Sequence, residues 1–184
     1  MKCPSCASGH LFPNFIDDNL RSHKCNSCGG DWLLIEDFVS WKERHPEHEF
    51  SDNLSVEELA EDTGRALFCP VSGGIMRKMK ISAQTPHRID YSSAVGGVWL
   101  DKGEWGLLKS EGVAGSLNAI VTQAWQRQVK LTTTSQNFNA IYTDKFGEDT
   151  YSKLKEIRAW LHEHPQKADL RAYLMAEDPY SALK

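Results

Sequence analysis

Four of the five cysteines fall into two C-x-x-C pairs, Cys3/Cys6 and Cys25/Cys28, with 18 residues between the pairs. That arrangement matches the C-x2-C-x15-20-C-x2-C spacing of zinc sites. Each short turn presents two thiolates, and a tetrahedral cation needs four. Cys3, Cys6, Cys25 and Cys28 are therefore the expected ligands of one Zn²⁺. An all-sulfur tetrahedron suits iron as well. With every position filled by protein there is no open coordination site, so the expected metal is structural rather than catalytic. Redox use of either pair is the competing chemistry, but the strand–helix setting of a thioredoxin-like site is not visible around it.

The elements that must bring these turns together follow from the spacer. Leu11 to Ile16 is expected as one strand, Asp17-Asp18-Asn19 as the turn and Leu20 to Lys24 as the return strand. Gly29, just past the last cysteine, suits a positive φ. So small a module has little core, and the metal is expected to supply on the order of 10 kcal/mol of its folding free energy.

The pattern recurs. Cys3-Pro4-Ser5-Cys6 returns as Cys69-Pro70-Val71-Ser72, offset by 66 residues, and Gly29-Gly30-Asp31-Trp32-Leu33 returns as Gly96-Gly97-Val98-Trp99-Leu100, offset by 67. The intervening hairpin is thus expected to gain one residue. On this register Ser92 stands for Cys25 and Val95 for Cys28, so one of four ligands survives. Ser72, Ser92 and Val95 cannot hold a soft cation. The second copy is expected to be metal-free, packed around Ile75, Ile89, Tyr91, Trp99 and Leu100, with Cys69 a buried free thiol.

Both copies resemble the bacterial transcription factor IIB-type zinc ribbon, whose pattern runs C-P-x-C, a hairpin, then C-x-x-C-G-G-x-W-L-D-x-G-E. The first copy keeps the four cysteines and Gly29-Gly30-Asp31-Trp32-Leu33, then departs at Leu34-Ile35-Glu36-Asp37. The second keeps Gly96-Gly97-Val98-Trp99-Leu100-Asp101-Lys102-Gly103-Glu104. The resemblance covers about 80 of 184 residues and implies a zinc-binding ribbon with ligands Cys3, Cys6, Cys25 and Cys28. It does not by itself imply a role in transcription initiation.

Helical patterns fill the rest. Leu33 to Arg44 reads as a short helix stopped by Pro46, and Ser55-Val56-Glu57-Glu58 as a capping box. From Leu117 through Ile120, Val121, Ala124, Trp125 and Leu131 runs one apolar stripe that can extend to Phe146; a break at Thr132-Thr133-Thr134 fits equally. Two further stripes, Tyr151 to Leu161 and Leu170 to Leu174, complete a helical hairpin or bundle. Trp125, Phe138 and Tyr142 are candidates to face a partner. The expected architecture is α+β: residues 1–45 a zinc ribbon with a following helix, 46–64 an acidic connector with a short helix, 65–115 a degenerate ribbon without metal, and 116–184 a helical region.

Charge and hydropathy bound the function. The net charge is −4 and the mean hydropathy −0.49. No apolar run spans a bilayer and no secretory signal follows Met1, so the expected location is the cytoplasm, where free thiols persist. Residues 1–115 carry 12 basic against 17 acidic residues, which makes the chain a poor general binder of nucleic acid. Arg77, Lys78, Lys80 and Arg88, on the strands of the second copy, are the candidate phosphate contacts. No Ser/His/Asp spacing, phosphate loop or dinucleotide fingerprint is present. The expected function is a non-enzymatic zinc protein in which the ribbon is a platform for a protein partner or for self-association through the helices. The alternative is a nucleic-acid-binding transcriptional regulator using the basic strand.

Overall fold

A computed structural model describes residues 1–6, 8–17, 19–50 and 60–180. The protein is α+β, and the chain divides into two units, Met1–Thr133 and Thr134–Lys184. The capping box at 55–58 lies outside the described residues.

The first unit is built on six antiparallel strands: β1 (Leu11–Ile16), β2 (Leu20–Cys25), β3 (Asp31–Leu34), β4 (Arg77–Lys80), β5 (Arg88–Ser92) and β6 (Gly97–Leu100). Their order, β1-β2-β3-β6-β5-β4, is two three-stranded meanders joined edge to edge. The first hairpin matches the expected strands. Its turn places Asp17 and Asn19 at φ +45° and +64°, a conformation short polar side chains tolerate.

The hairpins differ by more than the expected single residue. At equivalent places in the ladders, Phe15 faces Arg21 across five residues, whereas Lys80 faces Arg88 across seven. The turn preceding β4 is in compensation tighter by one: Cys3 N–H donates to Gly9 O, but Cys69 N–H donates to Gly74 O. As a result Met76 takes an inward place and Ile75, expected in the core, stands 69 % exposed. Trp99, Leu100 and Ile89 are buried as expected, and Tyr91 is partly so.

At the junction of the meanders Trp32 lies directly opposite Trp99, and both are at most 1 % exposed. Each indole rests where a glycine leaves room. A Cβ on Gly30 would sit 2.3 Å from Trp99 Cζ2, and one on Gly97 would sit 2.0 Å from Trp32 Cζ2. This reciprocal fit lets two edge strands pair over aromatic rings, burying edges that would otherwise be open to solvent.

Alternation along the strands gives the sheet two buried faces. On one, Leu20, Leu33, Ile89, Val98 and Leu100 meet three helices, α1 (Ile35–Arg44), α2 (Glu104–Ser110) and α3 (Leu117–Ile120), which contribute Phe38, Trp41, Leu108, Leu117 and Ile120. On the other, Trp32 and Trp99 pack with the cysteine turns, Leu11, Leu67 and Met76. Asp17 at the hairpin tip accepts from Trp105 Nε1 (2.8 Å) and Lys109 Nζ (3.1 Å), tying α2 to that turn.

Helix α4 (Gln123–Phe146) begins later than the stripe from Leu117 suggests. Thr122 interrupts the pattern: its hydroxyl accepts the Trp125 N–H at 3.2 Å and starts a new helix. The Thr132–Thr134 run does not break it; Thr133 Oγ1 donates back to Val129 O at 2.9 Å. Trp125, partly buried, packs on the core and its indole donates to Ile81 O at 3.1 Å.

The second unit holds the end of α4, then α5 (Glu148–Glu163) and α6 (Lys167–Met175). Gly147, at φ +78°, separates α4 from α5. Neither α5 nor α6 has a buried side chain. Tyr142 stacks against Phe146 and packs on Tyr151, whose hydroxyl donates to Asn139 Oδ1 at 2.7 Å. Among the described residues no helix is long and apolar enough to cross a membrane.

Candidate metal centre

The two turns that carry Cys3/Cys6 and Cys25/Cys28 are closed by backbone bonds. Cys3 N–H donates to Gly9 O at 3.0 Å, Cys25 N–H to Gly30 O at 2.8 Å and Gly29 N–H to Cys25 O at 3.1 Å. Gly29 adopts φ +75°, the conformation its place in the sequence calls for. The β1–β2 pairing sets Leu11 opposite Cys25, which brings the first turn back over the second.

All four sulfurs consequently lie within 4.8 Å of one another. Cys3 Sγ and Cys28 Sγ are 3.6 Å apart, as are Cys6 Sγ and Cys25 Sγ. A tetrahedron with ~2.3 Å metal–sulfur bonds has sulfur–sulfur edges of about 3.8 Å, so the donors fit zinc. The space is guarded: a Cβ on Gly9 would lie 2.3 Å from Cys25 Sγ and 2.6 Å from Cys6 Sγ.

Backbone N–H groups turn toward the sulfurs. Ser5 and Cys6 donate to Cys3 Sγ at 3.3 Å each, and Ser27 donates to Cys25 Sγ at 3.4 Å. Such bonds favour thiolate over thiol. Burial is the largest influence the other way: despite these bonds Cys3 is held up at about 11, and Cys28, raised also by its hydrogen bonds to Cys25 and Cys3, lies higher still. At Cys25 burial is outweighed by the Cys28 and Ser27 N–H groups and the neighbouring sulfurs, and the value falls to about 7. Four sulfurs this close cannot all carry charge without a cation among them, and binding one releases the remaining protons.

Cys69 is buried and free. Against the effect of burial, Ser72 and then Ser92 hydrogen-bond its sulfur and lower its pKa. The Ser72 N–H lies 3.4 Å from that sulfur. Among the described residues no group of three or more His, Cys, Asp or Glu other than Cys3, Cys6, Cys25 and Cys28 converges at metal-binding distance.

The four basic candidates do not form one patch. Lys78 faces Asp90 and Lys80 faces Arg88 on one side of the sheet, while Arg77 faces Tyr91 on the other. Lys78 is committed internally: its Nζ is 3.0 Å from Asp90, 3.9 Å from Asp62 and donates to Thr63 O.

One group of acids escaped sequence reasoning. Trp99 Nε1 donates to Asp101 Oδ1 at 2.7 Å, Thr63 N–H to Asp101 Oδ2 at 2.7 Å, and Asp101 N–H to Glu104 Oε2 at 2.8 Å. Gly103, at φ +84°, makes the bend between the two carboxylates. The segment Trp99–Glu104 is therefore a closed hydrogen-bonded unit, and its W-L-D-x-G-E spelling was the available signal. Glu104 is 2 % exposed, and its Oε1 has no hydrogen-bond partner among the described residues. Burial first, then Asp101, Asp62 and Asp90, push its pKa up to about 9.

Comparison of the chain with protein-family models, with curated proteins and with solved structures finds no match.

Proposed function

We propose that the chain is a non-enzymatic zinc protein of the bacterial TFIIB-type zinc-ribbon kind, and that its sheet is a platform for protein–protein interaction. β1–β3 is the intact ribbon and β4–β6 a copy that has lost its metal. The observation that carries this reading is the convergence of Cys3, Cys6, Cys25 and Cys28 within 4.8 Å. Four protein ligands leave no place for substrate or water, which suits a structural ion and not a catalytic one.

The repeat is supported by the junction. Residues related by the 67-residue offset, Trp32 and Trp99, face each other, and the glycines related by the same offset each receive the other copy's indole. Two copies of one surface meeting about a two-fold give this reciprocity. In the second copy Ser72 and Ser92 surround Cys69 with hydroxyls where the first has sulfurs. Hydroxyls satisfy one sulfur but do not hold zinc.

Native mass spectrometry of chain purified without added metal tests the reading. One zinc per chain is expected, lost in Cys25→Ser, with Cys69→Ser unchanged. Two ions per chain would overturn the metal-free second copy. A chain that neither carries nor takes up zinc would overturn the proposal itself.

A further inference from the structure

We propose that the partner of this platform is a second copy of the same chain, docked through the apolar faces of α4 beyond Thr134 and of α5. The inference rests on the reading of the chain as an interaction protein. Residues 134–180 present eleven large apolar side chains that are between 39 % and 85 % exposed, among them Phe138, Ile141, Ile157, Trp160 and Leu174. Within this unit a groove of about 180 Å³ is walled by Tyr142, Phe146, Tyr151 and Leu154, with Lys155 and Arg158 at its rim. Some fifty residues without a buried side chain on α5 or α6 lack the core that keeps a small unit folded. A covering surface supplies it.

Area and charge select the occupant. The exposed parts of the seven of these side chains on α4 and α5 amount to roughly 650 Å², counting aromatics at ~150–250 Å² each, which covers the apolar share, somewhat over half, of the ~800 Å² per partner of a standard interface. Residues 134–184 carry seven basic and eight acidic side chains. That balance lacks the polybasic excess that draws a segment to anionic lipid or nucleic acid. It also leaves two identical faces without net repulsion. Along α5, Glu148 and Asp149 occupy the first turn, Lys153, Lys155 and Arg158 with Glu156 among them fill the middle, and Glu163 stands at the end. Two α5 helices running antiparallel about a two-fold, offset along their axes, set the acidic start of each against the net basic middle of the other.

Sedimentation velocity on the zinc-loaded full chain, from 1 to 50 μM, tests the proposal. A species of twice the 20.8 kDa chain mass is expected. Ile157→Ala and Phe138→Ala are each expected to weaken association at least tenfold. Alanine is the best helix former, so such a loss reflects the removed contact and not a broken helix. A monomer throughout this range, or a dimer indifferent to both substitutions, would overturn the inference. Zinc counted in the same samples separates the two proposals. A monomer with one zinc removes the dimer and leaves the metal reading standing; a dimer unable to bind zinc does the reverse.

Discussion

Glutamate 104 offers a perturbation whose direction and size follow from its surroundings. The side chain is 2 % exposed, accepts one hydrogen bond from the Asp101 N–H and is faced by Asp101, Asp62 and Asp90. Lys78, which reaches into that group, is taken up by Asp90. Burial is the main cause and the carboxylates the lesser one in raising the pKa from 4.5 to about 9. Below pH 4.5 both folded and unfolded chains hold the proton and there is no effect. Between pH 4.5 and about 9 the folded chain keeps a proton that the unfolded chain has released, so stability falls as pH rises through this window and levels off above it. Each pH unit costs about 1.4 kcal/mol, and the loss accumulated by pH 7 is about 3 kcal/mol. Glu104→Gln keeps the oxygen that accepts from Asp101 and removes the titration. Buried amide protons add a constant penalty of ~1–3 kcal/mol that does not depend on pH. Urea unfolding of zinc-loaded wild type and variant at pH 5.5, 6.5, 7.5 and 8.5 isolates the effect, because the pH dependence of metal binding is common to both and cancels in the difference. The stability of Glu104→Gln relative to wild type is expected to grow by about 1.4 kcal/mol per unit. A difference that varies by less than about 0.5 kcal/mol over the series would refute the reasoning.

Gly97→Ala drives a methyl into Trp32 and is expected to cost about 3 kcal/mol, whereas Gly74→Ala, whose nearest neighbour is Ser72 Oγ at 3.6 Å, is expected to cost under about 1 kcal/mol; equal losses in urea melts would reject the indole fit. Lys78→Met strands Asp90, whose side chain is 3 % exposed, and is expected to cost about 3 kcal/mol, most of it recovered in Lys78→Met/Asp90→Leu; a neutral single variant would return Lys78 to the surface cations. Removing zinc with a chelator is expected to lower the thermal midpoint by about 10 °C or more, and acidification is expected to release the metal as protons compete for the sulfurs. An unchanged midpoint under chelation would show that the thiolate cluster does not hold the fold.

The local parts of this structure were legible and the joined parts were not. Cysteine spacing alone located the four converging sulfurs, because ligand geometry is set by short turns and one hairpin. Strands β1 and β2 matched their pattern for the same reason. The β3–β6 junction carries no periodic signal; it depends on two glycines 67 residues apart, each lacking the one atom that would exclude a distant indole. The fate of Lys78 was hidden for a similar reason, since a basic strand reads alike whether its lysine meets water or a buried Asp90. Thr122 was passed over because an apolar stripe continues through it, although its hydroxyl ends one helix and begins the next. Glu104 looked like one more acid on an acidic chain until Asp101 and Gly103 turned it inward.

The two meanders hold their ends by different means. In the first, the sulfurs before β1 meet those at and after the end of β2, and a bound cation would make that cluster cohesive. In the second, the corresponding load falls on polar crosslinks. Thr63 N–H bonds Asp101, Thr63 O bonds Lys78, and Glu61 N–H bonds Lys102 O at 2.9 Å, so that residues 61–63 are stitched to β4 and to the end of β6. At the position 67 residues earlier, Leu34 stands in place of Asp101, and the bonds to the Asp101 carboxylate have no counterpart. Asp101 also holds the Trp99 indole, fixing the ring that fills the space at Gly30. Carboxylate bonds and, on the proposed reading, metal–thiolate bonds thus anchor opposite halves of one sheet. Chelation strikes the first anchor and spares the second, whereas Glu104→Gln acts on the second and leaves the four sulfurs untouched. Because the halves share the Trp32–Trp99 junction, the two perturbations are expected to couple in a double-perturbation cycle, which independent domains would not do.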